Sequence, residues 1–184
     1  MKQHALLSAL GRDRIGVADD LATALADRRI DIEHSRMTAL SGRFALLVRV
    51  CGEEASITGL RHDLANLGAG LGFHLQLKPI RPARPSTREA QFLVESFSAG
   101  PSGLSAVTAL LKRHDINIED LETEASAAPW KSEITFHMKA RITLPPSCSV
   151  STLRQALREL EGERNVDVVI KPAPSPVGEP LATT

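Results

Sequence analysis

The chain carries one pattern twice, and that duplication limits what it can fold into. Ile30-Asp31-Ile32-Glu33 returns 86 residues later as Ile116-Asn117-Ile118-Glu119. The apolar ladder Ile57, Leu60, Leu64, Leu67 returns at the same spacing, 93 residues on, as Val150, Leu153, Leu157, Leu160, and Lys78-Pro79 returns at that offset as Lys171-Pro172. A fixed internal period spread over several kinds of element means two copies of one folding unit. A site in such a chain is expected where a copy meets its twin or another molecule.

Each copy spells β-α-β-β-α-β. In the first, residues 4 to 10 form an apolar strand ending at Gly11. The loop Arg12-Asp13-Arg14-Ile15-Gly16 follows, and Val17, Leu21, Ala24 and Leu25 mark one face of a helix. A strand through Thr38, a Ser41-Gly42 turn, and Phe44, Leu46, Val48 and Val50 at period two read as a hairpin. Glu53 to Leu67 reads as a second helix closed by Gly68, Gly70 and Gly72, with Phe73, Leu75 and Leu77 on a last strand.

The second copy repeats this with a strand from Phe92 to Phe97, a turn from Gly100 to Gly103 and a helix from Leu104 to His114. A strand from Ile116 to about Ala125 comes next, and then the alternation Ile134, Phe136, Met138, Ala140, Ile142. The offset between copies grows by seven residues across this hairpin, so Ala127 to Lys131, with Trp130, reads as an insertion. Right-handed crossovers place both helices of such a unit on one face of a four-stranded antiparallel sheet. The prediction is therefore an α+β chain of two ferredoxin-like sandwiches in tandem. The expected boundaries are residues 1–79 and 91–172, with a stiff basic, proline-rich linker over 80–90 and a disordered tail over 173–184.

Charge and composition narrow the function classes. Lys plus Arg equals Asp plus Glu at 22 each, so no net field draws the chain to nucleic acid or anionic lipid. Five Phe, one Trp and no Tyr leave little material for base stacking. No stretch resembles a secretory signal or a membrane span, and a cytoplasmic location is expected. The histidines at 4, 34, 62, 74, 114 and 137 show no i, i+4 pairing, and Cys51 and Cys148 sit at non-equivalent places in the two copies. No metal centre, disulfide, cofactor or catalytic thiol is expected on that reading. Gly11 to Gly16 has P-loop spacing without its Lys and Ser/Thr, Gly68 to Gly72 lacks the third glycine of a dinucleotide fingerprint, and no Gly-x-Ser-x-Gly elbow or acid/base pair is present.

The loop Gly11-Arg12-Asp13-Arg14-Ile15-Gly16 after a first strand, followed by Ile30-Asp31-Ile32, resembles the ACT domain, the small-molecule-binding module of amino-acid metabolism. Two such modules with nothing catalytic attached resemble the glycine cleavage system transcriptional repressor group. The resemblance implies allosteric amino-acid sensing, with the ligand between paired modules. It would be held by the first strand-to-helix loop of one and by the strand that follows the first helix. The residues so implicated are Arg12, Asp13, Arg14, Ile15, Gly16, Asp31 and Ile32, with Ser102, Gly103, Asn117 and Ile118 in the second copy.

Elementary chemistry agrees with that reading. A helix opening at Gly16 turns unpaired N–H groups and the positive end of its dipole toward a ligand carboxylate. Asp13 or Asp31 can take the ligand ammonium. The copies are unlike, however. Repeat one has Asp31 where amino-acid-binding modules often carry Asn, whereas repeat two keeps Asn117 but has Ala99-Gly100-Pro101-Ser102-Gly103 in place of the Asp-Arg loop. Plainer roles stand beside these: Asp13 as a helix cap with the arginines in solvent, the glycines as turn formers, Asp31 and Asn117 as strand-entry residues.

The sequence reading is thus a regulator, not an enzyme, that senses an amino acid, glycine being the expected one. It acts through protein contact with a transcriptional regulator, without touching nucleic acid or membrane, and with exposed sheet edges available for a homodimer. The alternative is an allosteric ACT-type subunit of a metabolic enzyme.

Overall fold

The computed structural model describes residues 1–81, 90–127 and 134–174. The chain divides into two compact units between residues 85 and 86. The first contains strand β1 (Lys2–Arg12), helix α1 (Val17–Ala26), the hairpin β2 (Ile30–Leu40) and β3 (Arg43–Glu53), helix α2 (Glu54–Leu71) and strand β4 (Phe73–Ile80). The second contains β5 (Gln91–Ser98), α3 (Pro101–Arg113), β6 (Asn117–Ala127), β7 (Ile134–Thr143), α4 (Val150–Arg164) and β8 (Val166–Pro172). The two sheets have strand orders β2-β3-β1-β4 and β6-β7-β5-β8, antiparallel throughout. Each is the ferredoxin-like sandwich expected from the element order.

Each core lies between one sheet face and its two helices. Ala5, Leu7 and Ala9 on β1, and Phe44, Leu46, Val48 and Val50 on β3, point to the same side because alternate residues share a face. Val17, Leu21 and Leu25 of α1 and Ile57 and Leu60 of α2 close over them. Phe44 meets Phe73 edge to face at 4.8 Å between centroids. The second core repeats the plan with Val94, Met138, Ala140 and Ile142 on strands under Val107, Leu110, Leu111, Leu153 and Leu157.

The repeat extends to backbone detail. Arg29 and Asp115, 86 residues apart, both take positive φ (55° and 54°) between the first helix and the next strand of their units. Gly72 and Asn165, 93 apart, both end the second helix in the left-handed region. Edge strands β2 and β6 also share a bulge, between Ile32 and His34 and between Ile118 and Asp120. At the first hairpin, Ser41 (φ 50°) and Gly42 (φ 72°) form the two-residue left-handed turn whose twist matches the strands it joins.

Three expectations need correction. Helix α2 continues through Gly68 and Gly70, and only Gly72 ends it. Gly68 is buried, and a Cβ there would lie 2.7 Å from the Phe73 carbonyl oxygen, so this glycine lets α2 approach β4 and does not stop the helix. Helix α3 starts at Pro101, inside the expected turn, because a first-turn proline has no N–H to leave unbonded. Ala127 is the last residue of β6 and not part of an insertion. The rest of that connection, with Trp130, lies outside the described residues, as do positions 82–89 of the basic linker and 175–184 of the tail. Among the described residues no helix is long and apolar enough to cross a membrane.

Arg28, just past the end of α1, ties that helix to α2 by charge. The Arg28 guanidinium donates to the Ala24 carbonyl at 2.9 Å and to the Asp63 carboxylate at 2.5 Å. Hydrogen bonds from Arg28 and then Asn66 hold the Asp63 carboxyl below the ordinary carboxylate range. A depressed folded value means the pair contributes fully above the unfolded value and is lost as pH falls through the folded one. Stability should therefore decline on acidification below about pH 4, and Asp63→Asn should flatten that part of the pH dependence, read from denaturant midpoints across an acid series. For the glycines, Gly68→Ala should lower stability by about 1–3 kcal/mol through overpacking against β4. Gly70→Ala, where an added Cβ meets nothing within 4 Å, should raise it by about 0.5–1 kcal/mol. Equal effects at the two positions would contradict this assignment.

Candidate functional site

The loop Asp13–Gly16 joins β1 to α1 at the end of the first sheet where Arg12 pairs with Arg43. The Asp13 N–H donates to the Gly42 carbonyl at 3.0 Å, which fastens the loop to the neighbouring hairpin turn. Gly16 is the N-cap of α1, with φ 90°, a left-handed geometry that disfavours any side chain there. No side chain caps this helix. Asp13 thus does not have the capping role that was its plainer alternative, and the first-turn N–H groups face the loop without a side-chain acceptor.

Arg14 is exposed but held by several partners. Its guanidinium pairs with Asp20 in the first turn of α1 at 2.6 Å, reaches the Leu71 carbonyl at the end of α2 at 3.4 Å, and lies 5.7 Å over the Phe73 ring. A cation beside the last carbonyls of a helix is favourably placed. Arg14 therefore joins the start of α1 to the end of α2. Arg12 and Asp13 remain exposed, and Ile15 is a fully exposed apolar side chain at the loop tip.

Asp31 and Ile32 stand at the other end of the same sheet. Asp31 pairs with Cys51, while the loop adjoins Arg43 eight residues away along β3. At about 3.3 Å per residue this is roughly 26 Å. Asp31 is largely exposed with its carboxylate 4.0 Å from the Lys2 ammonium, and Ile32 is 44% exposed on the strand's helix-side face. One unit therefore does not bring the two sets together.

In the second unit Ser102 is exposed in the first turn of α3, whereas Gly103 is buried. A Cβ on Gly103 would fall 2.3 Å from the Ser98 Cβ, so the glycine is where α3 rests on β5. Ser98 in turn donates to the Gly100 carbonyl at 2.7 Å and shapes the approach to the helix. Asn117 is exposed beside Thr143 at the far end, and Ile118 packs against the core. An open groove between α3 and α4, lined by Arg113, His114, Gln155, Glu159 and Glu163 among others, includes none of the residues singled out from sequence.

The fold also assembles a group that linear spacing hid. His4 on β1, Glu33 in the β2 bulge and Cys51 on β3 converge on the sheet face away from the helices. The Glu33 carboxylate lies 3.2 Å from His4 Nδ1 and 2.6 Å from Arg49 Nε. Burial raises the Glu33 carboxyl, but the hydrogen bond and charge of His4, together with Arg49, outweigh it and hold the group below its ordinary value. These residues are 29 and 47 positions from His4. The signal that finds them is the strand register, since Cys51 faces His4 across β1 and β3.

Residues 3–78 match the family model of the ACT domain. Over 174 residues the chain is 26% identical to the glycine cleavage system transcriptional repressors of Escherichia coli (strain K12) and Shigella flexneri, with 91% of each chain covered. Among solved structures, an unknown protein from Galdieria sulphuraria superposes with a TM-score of 0.80 at 27% identity, covering 94% of this chain and 99% of its own. A candidate glycine cleavage system transcriptional repressor superposes at 0.72 and 20% identity, covering 93% and 97%, a likeness that speaks for the fold alone. The first unit thus matches the ACT domain, the second repeats its topology, and the chain is similar to the glycine cleavage system transcriptional repressors along 91% of its length.

Proposed function

We propose that this chain is a cytoplasmic amino-acid-sensing regulator that performs no catalysis and acts through contact with a DNA-binding transcriptional regulator. The observation that carries this reading is the similarity to two transcriptional repressors along 91% of the chain. The site is the β1–α1 loop, Arg12 to Gly16, together with Asp31 and Ile32, and with Ser102, Gly103, Asn117 and Ile118 contributing from the second unit.

The chemistry suits a small zwitterion such as glycine. The uncapped start of α1 and the exposed Arg12 offer donors for a carboxylate. Asp13 and Asp31 offer acceptors for an ammonium, and Asn117 can both donate and accept. Loop and strand entry stand at opposite ends of one sheet, so a ligand reaching both joins two units, either within one chain or in a homodimer. Ligand binding then favours one pairing geometry over another by the difference in its affinity for the two, and a protein partner reads that geometry.

Thermal denaturation against each of the twenty amino acids tests the sensing step. A single-site ligand at a hundred times its dissociation constant should add about 2.7 kcal/mol, raising Tm by roughly 5 to 11 °C. The shift should vanish in the Asp13→Ala, Asp31→Ala double variant. A chain that shifts with no amino acid is not a sensor of this kind. Affinity capture separates the partners: a DNA-binding protein supports the transcriptional role, whereas a metabolic enzyme indicates a regulatory subunit.

A further inference from the structure

We propose that His4, Glu33 and Cys51 form a binding site for a divalent transition metal of the zinc class on the open face of the first sheet. Their ligand atoms, one from each side chain, all lie within 4.8 Å of one another. A tetrahedral zinc with bonds of about 2.0 to 2.3 Å sets its donors roughly 3.5 Å apart. His4 Nδ1 stands 3.2 Å from the Glu33 carboxylate and His4 Nε2 3.9 Å from the Cys51 sulfur, so the two short contacts are made by different ring nitrogens. One ion takes only one of them, so binding requires the His4 ring to turn until a single nitrogen serves the site with Glu33 and Cys51.

The donor set is selective in kind. Thiolate and imidazole favour borderline metals such as zinc over magnesium or calcium, and the carboxylate completes a three-ligand arrangement with a fourth position toward solvent. Binding releases the thiol proton to solvent, so the ion meets two anionic donors. The orienting contacts are present as well. Arg49 forms an ion pair with one Glu33 oxygen at 2.6 Å, which leaves the other, 3.2 Å from His4 Nδ1, for the metal, and the ring nitrogen of His4 not used as a ligand remains available for a hydrogen bond. Cys51 is nearly buried at 5% exposure, while the side chains of His4 and Glu33 keep 19% and 31%, so the site is walled on one side and open on the other.

The second unit supplies an internal comparison. Gln91, Glu119 and Thr143 occupy the corresponding register positions, with Glu119 again in the bulge. Gln91 donates to the Glu119 carboxylate at 3.0 Å, and the Thr143 hydroxyl donates to its other oxygen. As a structural device the bulge glutamate is thus satisfied by Gln and Thr. In the first unit both donor positions are filled instead by residues that ligate metals, and they face each other across one strand pair.

The test uses the full chain. Cobalt(II), a spectroscopic stand-in for zinc, should give a thiolate-to-metal charge-transfer band that saturates at one equivalent and is displaced by zinc. The double variant His4→Gln, Cys51→Thr copies the second unit's own pair. It should fold with an unchanged circular dichroism spectrum, lose the band and bind zinc about 100-fold more weakly or worse. Cys148→Ser should leave the band intact. Absence of the band in the unaltered chain, its retention in the double variant or its loss in Cys148→Ser would overturn the proposal. Amino-acid thermal shifts measured on the same double variant keep this outcome separate from that of ligand sensing.

Discussion

Each unit places both helices on one side of its sheet, and much of the molecule follows from that one-sidedness. A β-α-β crossover is right-handed, so two successive crossovers in a four-stranded unit return to the same face. Apolar residues then gather at alternate strand positions beneath the helices, as Ala5, Leu7, Ala9, Phe44, Leu46 and Val48 do. The opposite face receives the residues between them, including His4, Arg49 and Cys51. Polar and reactive side chains that would be costly inside the core are set side by side on a rigid, half-covered floor. Loops and strand entries, meanwhile, are forced to opposite ends of the sheet.

Much of the fold was legible in the sequence because the internal period reports on every element at once. A single apolar run is ambiguous, but the same run recurring at an 86- or 93-residue offset is constrained by both copies, and the paired left-handed residues at Arg29 and Asp115 show how far that correspondence goes. Gly68 was misread for a definite reason. A helix glycine can mark an ending or a close approach, and only the position of the Phe73 carbonyl tells them apart. The β2 and β6 bulges are equally silent, since Glu33 and Glu119 break alternation by one residue without changing composition.

The candidate site was legible in part. The loop from Arg12 to Gly16 is local, so its residues could be named from spacing, and the structure adds what spacing lacks: Arg14 belongs to a bridge between two helices, and Gly16 rather than Asp13 caps α1. Gly103 shows the opposite limit. Its spacing marks it as part of a turn, whereas the packing that needs its missing side chain, α3 against Ser98, shows only in the structure. The His4, Glu33 and Cys51 group depends on register between strands separated by whole helices, and no linear pattern encodes it.

The Lys-Pro pair that closes each repeat has a consequence for how such chains avoid sticking to one another. Pro79 and Pro172 lie on β4 and β8, one border of each sheet, and the bulges at Glu33 and Glu119 lie on the other. Proline has no N–H to offer an incoming strand, and a bulge twists the ladder out of register. Both borders are therefore interrupted in the same way in both halves. A protein made of two exposed-edge sheets joined in one chain is at risk of open-ended, fibre-like growth, and these small breaks limit strand addition to short, finite stretches.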